Sequence, residues 1–144
     1  MKNLIGNLTQ EYLMFNIYEQ IQIFLTKCSV VIVDIDNTIL RNGIYPIKKM
    51  VDYVNKLSKQ NKIYIITGRP EKDRKDTVEA LKKAGVKYNR LMMNNIGGNP
   101  KDQNESKKKH AESIKEKILF AIDDNPKMRS EYNKVGIKTK SPKG

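Results

Sequence analysis

The stretch VVIVDIDNTIL, residues 30–40, decides the reading of this chain. Four apolar β-formers run straight into Asp34 and Asp36, and apolar residues then resume. A continuous apolar run of this length fits a strand covered on both faces, as in a parallel sheet. Successive side chains of a strand point to opposite faces, so residues i and i+2 face alike. Asp34 and Asp36 are therefore expected to look into one space as the chain leaves the sheet.

Outward from this strand, apolar runs alternate with helical patterns. Further strands are expected at 62–67 (KIYIIT), 90–94 (RLMMN), 118–122 (ILFAI) and 136–139. Helices are expected at 47–60, 71–84, 106–117 and 126–134, with Gly85 stopping the second of these. Asn42, Gly43 and Pro46 mark a turn, and 96–106 reads as a polar loop. Strands alternating with helices imply βαβ units. The expected fold is α/β, a Rossmann-like three-layer sandwich around a mainly parallel five-stranded sheet. Residues 29–144 form its single domain. Residues 1–28 form an N-terminal helical extension, because Leu8, Tyr12, Phe15, Tyr18 and Phe24 recur at spacings near three and four over 8–26. That helix would serve either to pack on the sheet or to form a homodimer; monomer and homodimer both stay open.

Composition narrows the partners. A chain of 144 residues with 38 % hydrophobic and 31 % charged residues suits one soluble domain. A single cysteine, Cys28, excludes an internal disulfide framework and fits a reducing cytoplasm. No segment approaches the roughly 20 apolar residues that span a bilayer. The apolar stretch from Leu13 to Leu25 is broken by Asn16, Glu19, Gln20 and Gln22, unlike a signal peptide. A cytoplasmic location without membrane contact is expected. The net charge of +12 suits an anionic partner such as nucleic acid. Coding bias gives an equally good account of it, since 23 of the 28 basic residues are lysine and there are 14 asparagines.

In open parallel sheets, ligands sit beyond the carboxyl ends of the strands. Strand one ends in Asp34, strand two in Thr67, Gly68 and Arg69, and the 118–122 strand in Asp123 and Asp124. Three strand ends thus point acids, a hydroxyl and backbone amides into one crevice. Four carboxylates gathered there repel one another unless a cation intervenes. An oxygen-rich site suits Mg²⁺, which keeps several waters and meets substrate phosphate. Turn or cap roles for these acids are the competing account.

These motifs resemble those of the haloacid-dehalogenase (HAD) superfamily. DIDNT (34–38), ITGR (66–69), a lysine at the head of the next helix and IDDNP (122–126) stand in the family's order, and the likeness covers 29–140. The resemblance implies a HAD-type phosphatase in which Asp34 is the nucleophile and Asp36 the general acid and base. Thr38 would orient Asp36, and Thr67 and the Gly68 amide would hold phosphate oxygens. The metal would be Mg²⁺, held by Asp34 and Asp36, by Asp123 or Asp124, and by the Ile35 carbonyl. The lysine is one of Lys107, Lys108 and Lys109. Lys107 is favoured because it shares the apolar helix face with Ala111, Ile114 and Ile118, and Lys108 follows. The further acid that often stands four residues after the acidic pair is replaced by Met128.

Only about eight residues separate Thr38 from the next helix, so the resemblance points to a member with a minimal cap or none. An open crevice admits a polynucleotide end or a phosphoprotein. The run from ITGRPEKDRKDTVEAL to AIDDNPKMRSEYNKVGIK is similar to the 3′-phosphatase domain of phage-type polynucleotide kinase, although no P-loop is present. That likeness implies phosphorylated nucleic-acid ends or nucleotides as substrate, with Arg69, Arg74 and Lys101 as candidate contacts. A small-metabolite phosphatase and a non-catalytic phospho-ligand-binding module are the alternatives. His110, the single histidine, is expected to be exposed on its helix.

Overall fold

β1 (Val30–Val33) sits at the centre of the sheet. The computed structural model describes residues 13, 14, 16–21 and 29–142. Every β1 side chain is at most 1 % exposed, and burial of each such side chain stabilises the fold by roughly 1.5–3 kcal/mol. Period-two alternation divides the strand between two cores. Val31 and Val33 enter one cluster, and Val30 and Ile32 enter the other.

The remaining strands build outward from β1. After it come a short ribbon of β2 (Leu40–Arg41) and β3 (Tyr45–Pro46), helix α1 (Lys48–Leu57) and β4 (Lys62–Pro70). Helix α2 (Arg74–Ala84), β5 (Arg90–Asn94), α3 (Pro100–Glu112), β6 (Ile118–Ile122), α4 (Pro126–Lys134) and β7 (Thr139–Lys140) complete the order. The five-stranded sheet runs β5-β4-β1-β6-β7, and every pairing is parallel. Val54 of α1 and Leu81 of α2 pack on the Val31 face. Ala111 of α3 with Met128 and Tyr132 of α4 pack on the Ile32 face. This is the three-layer α/β sandwich that the alternation predicts. Between β1 and β4 the chain carries only the ribbon and α1, so no cap-sized insertion stands there.

The element ends have local causes. Gly85 closes α2 in the left-handed region at φ 74°, where its lack of a Cβ avoids the usual clash. α3 begins at Pro100, not at 106, so the segment expected as a polar loop is half helix. The cause is Asn99, whose side chain accepts from the Asp102 amide, followed by proline at the first helical position. The Asn125-Pro126 pair opens α4 in the same way. β4 extends three residues beyond the expected strand, to Pro70, and β7 lies at 139–140 rather than 136–139.

Leu13, Met14 and residues 16–21 are helical, as expected. Leu13, Met14, Ile17, Tyr18 and Ile21 are between 49 % and 66 % exposed. Leu8, Tyr12, Phe15 and Phe24 lie outside the described residues. Among the described residues, no helix is long and apolar enough to cross a membrane.

Candidate active site

The carboxyl ends of β1, β4 and β6 meet at an open crevice of about 490 Å³. Asp34, Asp36, Gly68, Arg69, Lys107 and Asp124 line it. Asp34 leaves β1 with its amide still bonded to the Ile122 carbonyl at 3.0 Å, so the sheet itself fixes its position. The next residues form a tight turn. The Ile35 carbonyl accepts from the amides of Thr38 (3.1 Å), Ile39 (2.9 Å) and Leu40 (3.1 Å). Expected beside the metal, that carbonyl is instead engaged three times within the turn. Asn37 takes φ 60°, a left-handed value that asparagine tolerates better than most residues.

Lys107 binds two acids at once. Its Nζ donates to Asp34 Oδ1 at 3.0 Å and to Asp123 Oδ2 at 2.8 Å, and all three side chains are at least nine-tenths buried. Lys107 and Ala111 share the buried face of α3, as expected, but Ile114 and Ile118 do not, because α3 ends at Glu112 and Ile118 begins β6. The ammonium bears two opposing effects. Burial pulls its pKa down, and Asp34 and Asp123 more than offset this, so it is held above its ordinary value. Lys108 lies outside the crevice, near Glu105 and Glu131 at 3.9 and 4.0 Å.

Asp34, Asp123 and Asp124 each offer a carboxylate oxygen within 4.8 Å of the others. Burial pushes the Asp34 carboxyl well above its ordinary range; Lys107 opposes this, while Asp123 and a hydrogen bond with Asp124 add to it. One ammonium does not balance three carboxylates, and a divalent cation with oxygen ligands completes that charge balance. The donor set therefore fits Mg²⁺. Asp123 is already engaged on both oxygens, by Lys107 and by the Asn125 amide at 2.9 Å. Asp124 is half-buried and faces the crevice.

Asp36 stands apart from that cluster, a correction to the expectation that it joins the metal ligands. It lines the crevice, but Arg69 grips it on both oxygens, Nε to Oδ2 at 3.0 Å and Nη2 to Oδ1 at 2.7 Å. Bidentate guanidinium–carboxylate pairs are among the stronger polar contacts. Arg69 is therefore the partner of an acid first, not a free phosphate contact. Its Nη2 also donates to the Gly43 carbonyl at 2.9 Å, and its Nη1 reaches Thr77 Oγ1 at 3.3 Å. Thr38 is expected beside Asp36, yet its hydroxyl donates to Asp34 Oδ2 at 3.2 Å. Thr67 is fully buried, and its Oγ1 accepts from the Arg69 amide at 3.1 Å.

Other expectations also shift. Arg74 pairs with Glu71 and donates to the Leu91 carbonyl at 3.1 Å, which makes it a brace between α2 and β5. Lys101 is exposed in the first turn of α3. His110 is half-buried, with Nε2 2.7 Å from the Met93 carbonyl. Met128 is fully buried in the Ile32 core, so no acid approaches from that position. Gln103, Asn104 and Asn125 also line the crevice, and none was anticipated. The Asn99-Pro100 cap could have announced the first two, because it places the first turns of α3 at the crevice rim.

The sequence profile of the HAD superfamily, subfamily IIIB (Acid phosphatase), matches residues 43–127, more than half of the chain. The chain belongs to the HAD superfamily. The matched family is one of acid phosphatases. The matched segment carries Arg69, Lys107, Asp123 and Asp124, while Asp34 and Asp36 precede it. Two similar solved structures are "Structure of the Pnkp1/Rnl/Hen1 RNA repair complex" and "Structure of Pnkp1/Rnl/Hen1 complex". The first aligns with TM-score 0.68 and 21 % identity, covering 78 % of this chain and 42 % of that one. The second aligns with TM-score 0.68 and 20 % identity, covering 78 % and 45 %. This HAD chain thus spans less than half the length of the chains it resembles, and the likeness is one of fold. No curated protein matches it.

Proposed function

We propose that this chain is a Mg²⁺-dependent phosphatase that acts through an aspartyl-phosphate on Asp34 and removes 3′-phosphates from nucleic-acid ends. The observation that carries the catalytic part is the position of Asp34. It meets Lys107 on one oxygen and Thr38 on the other, at the edge of a three-carboxylate cluster, and it opens onto the crevice. An Asp34 oxygen attacks phosphorus, and the bond from phosphorus to the leaving oxygen breaks. Asp36 donates a proton to that leaving oxygen. Asp36 then takes a proton from water, whose oxygen attacks phosphorus and releases phosphate with Asp34 restored. Held by Asp34, Asp124 and Asp123, Mg²⁺ would supply positive charge to the phosphoryl oxygens and the carboxylates.

The chain's own groups support these roles. Arg69 fixes Asp36 through two of the roughly four acceptor positions of a carboxylate, which leaves others for a leaving group and for water. The Asp36 side chain is 47 % exposed, so it exchanges protons with solvent between half-reactions. Lys107 holds Asp34 and Asp123 in fixed relation and offsets the charge that gathers during transfer.

The substrate part rests on two features. The crevice lacks a cap-sized cover among the described residues, which leaves room for a long leaving group. The net charge of +12 raises the local concentration of polyanions. Phosphate release from a 3′-phosphorylated oligonucleotide, compared with nucleoside monophosphates and sugar phosphates, tests it. The oligonucleotide is expected to react at least tenfold faster in kcat/KM, and added salt should slow it when substrate is below saturation. Equal rates on all three, indifferent to salt, would replace this reading with that of a small-metabolite phosphatase. Hydrolysis of none of them in Mg²⁺ would leave a phospho-ligand-binding module.

A further inference from the structure

The β2–β3 ribbon is held more firmly than a four-residue pairing explains. Two-stranded ribbons are marginal on their own. Here the base is sunk in the core, with Ile39 and Leu40 fully buried and the Ile47 amide bonded to the Ile39 carbonyl at 2.8 Å. The tip is fixed as well. Asn42 (φ 52°) and Gly43 (φ 86°) turn the chain in the left-handed region, and Gly43 then presents its carbonyl to Arg69 Nη2. That same nitrogen donates to Asp36. One guanidinium therefore locks the ribbon tip and the proposed proton donor to each other.

The ribbon's side chains are unlike those of the crevice floor. Ile44 and Tyr45 are each 60 % exposed, and they are the most exposed large apolar side chains described between residues 29 and 142. Tyr45 is the direct cross-strand partner of Arg41, so aromatic ring and cation share one face of the ribbon. Single exposed apolar residues need no explanation. An aromatic–cation pair on a rigid element, two residues from the carbonyl that shares a nitrogen with Asp36, has one in the chemistry. Asp36 protonates the leaving oxygen, so the leaving group must extend from Asp36. The ribbon tip adjoins Asp36 through Arg69, whose Nη2 binds both.

We infer that the ribbon is a platform for the leaving nucleoside, on which the terminal nucleobase stacks against Tyr45 while Arg41 meets the neighbouring backbone phosphate. This rests on the nucleic-acid reading above and adds the residues that read the substrate. Stacking on an aromatic ring serves any base, and a pre-ordered ring loses little freedom on binding. The platform thus favours single-stranded ends without favouring a sequence.

The test uses the ratio of kcat/KM for a 3′-phosphorylated single-stranded oligonucleotide to kcat/KM for acetyl phosphate, which has no ring to stack. In Tyr45→Ala the ratio should fall about tenfold, and Tyr45→Phe should return it to the parent value. Arg41→Gln should lower it further as salt is reduced, because a phosphate contact matters most at low ionic strength. A ratio unchanged in Tyr45→Ala overturns the platform. A Tyr45→Phe ratio as low as that of Tyr45→Ala overturns it too, since a phenyl ring stacks equally well. The parent ratio reports separately on the nucleic-acid reading: if the parent does not prefer the oligonucleotide, that reading fails before any variant is measured.

Discussion

Lys107 Nζ lies 3.0 Å from Asp34 Oδ1, across 73 residues of sequence and between two different layers of the fold. α3 carries the ammonium and β1 the carboxylate, and neither side chain is more than 8 % exposed. The pair is thus a packing relationship as much as an ionic one. Breaking a buried pair from one side leaves an uncompensated charge, which costs more than the pair contributes when intact.

Lys107→Met should therefore cost both stability and activity. Asp34 and Asp123 would face each other without a cation, a loss of about 3 kcal/mol. Urea melts in the absence of Mg²⁺ would show the midpoint falling with the slope unchanged. Added Mg²⁺ should recover part of the stability and none of the turnover. Full stability without Mg²⁺ would show that the carboxylates relieve their repulsion by themselves.

Asp34→Asn removes the attacking oxygen while keeping the shape of the side chain. Hydrolysis of an aryl phosphate in Mg²⁺ should fall by at least about 10⁴-fold, the scale seen when a nucleophile is lost. Mass spectrometry of acid-quenched parent enzyme should show one added phosphoryl group, absent from the variant. Retained turnover would assign the attack to another group.

Mg²⁺ should stabilise the folded chain by mass action. At about 100-fold over its dissociation constant it contributes about 2.7 kcal/mol, which amounts to several degrees in Tm. Asp124→Asn should abolish most of that rise. Asp124 is the better choice for this measurement than Asp123, because it is half-buried and is not one of the two acids that Lys107 binds. An undiminished rise in the variant would place the ion elsewhere.

Arg69→Lys tests positioning. A lysine presents a point charge and cannot hold both oxygens of Asp36 together with the Gly43 carbonyl. The variant should fold, with kcat down about a hundredfold and KM changed far less. Amide exchange at 43–45 should quicken as the ribbon tip comes free. A loss confined to KM would make Arg69 a substrate contact instead.

What the chain's local pattern determined is its architecture. VVIV, KIYII and ILFAI are apolar runs of strand length, and burial follows from their composition wherever they are placed. Gly85 stopped its helix because only a residue without a Cβ enters that conformation cheaply. The shared face of Lys107 and Ala111 is local too, since a helix fixes which residues share a side before any neighbour is known; Ile114 and Ile118 fall outside it because the helix ends at Glu112. The start of α3 is equally local, set by the Asn99-Pro100 cap inside a stretch whose polarity otherwise suggests a loop.

Only the tertiary structure decided which polar group meets which. Thr38 turned to Asp34 and not to Asp36. Arg69 took Asp36 from 33 residues away and tied it to Gly43, itself 26 residues before Arg69. Asp36 thereby left the cluster formed by Asp34, Asp123 and Asp124. Periodicity carries the burial of apolar side chains, which is non-directional and tolerant of small shifts. Hydrogen bonds and ion pairs depend on distances of about 3 Å and on angle, and those are set only when separate strands and helices pack.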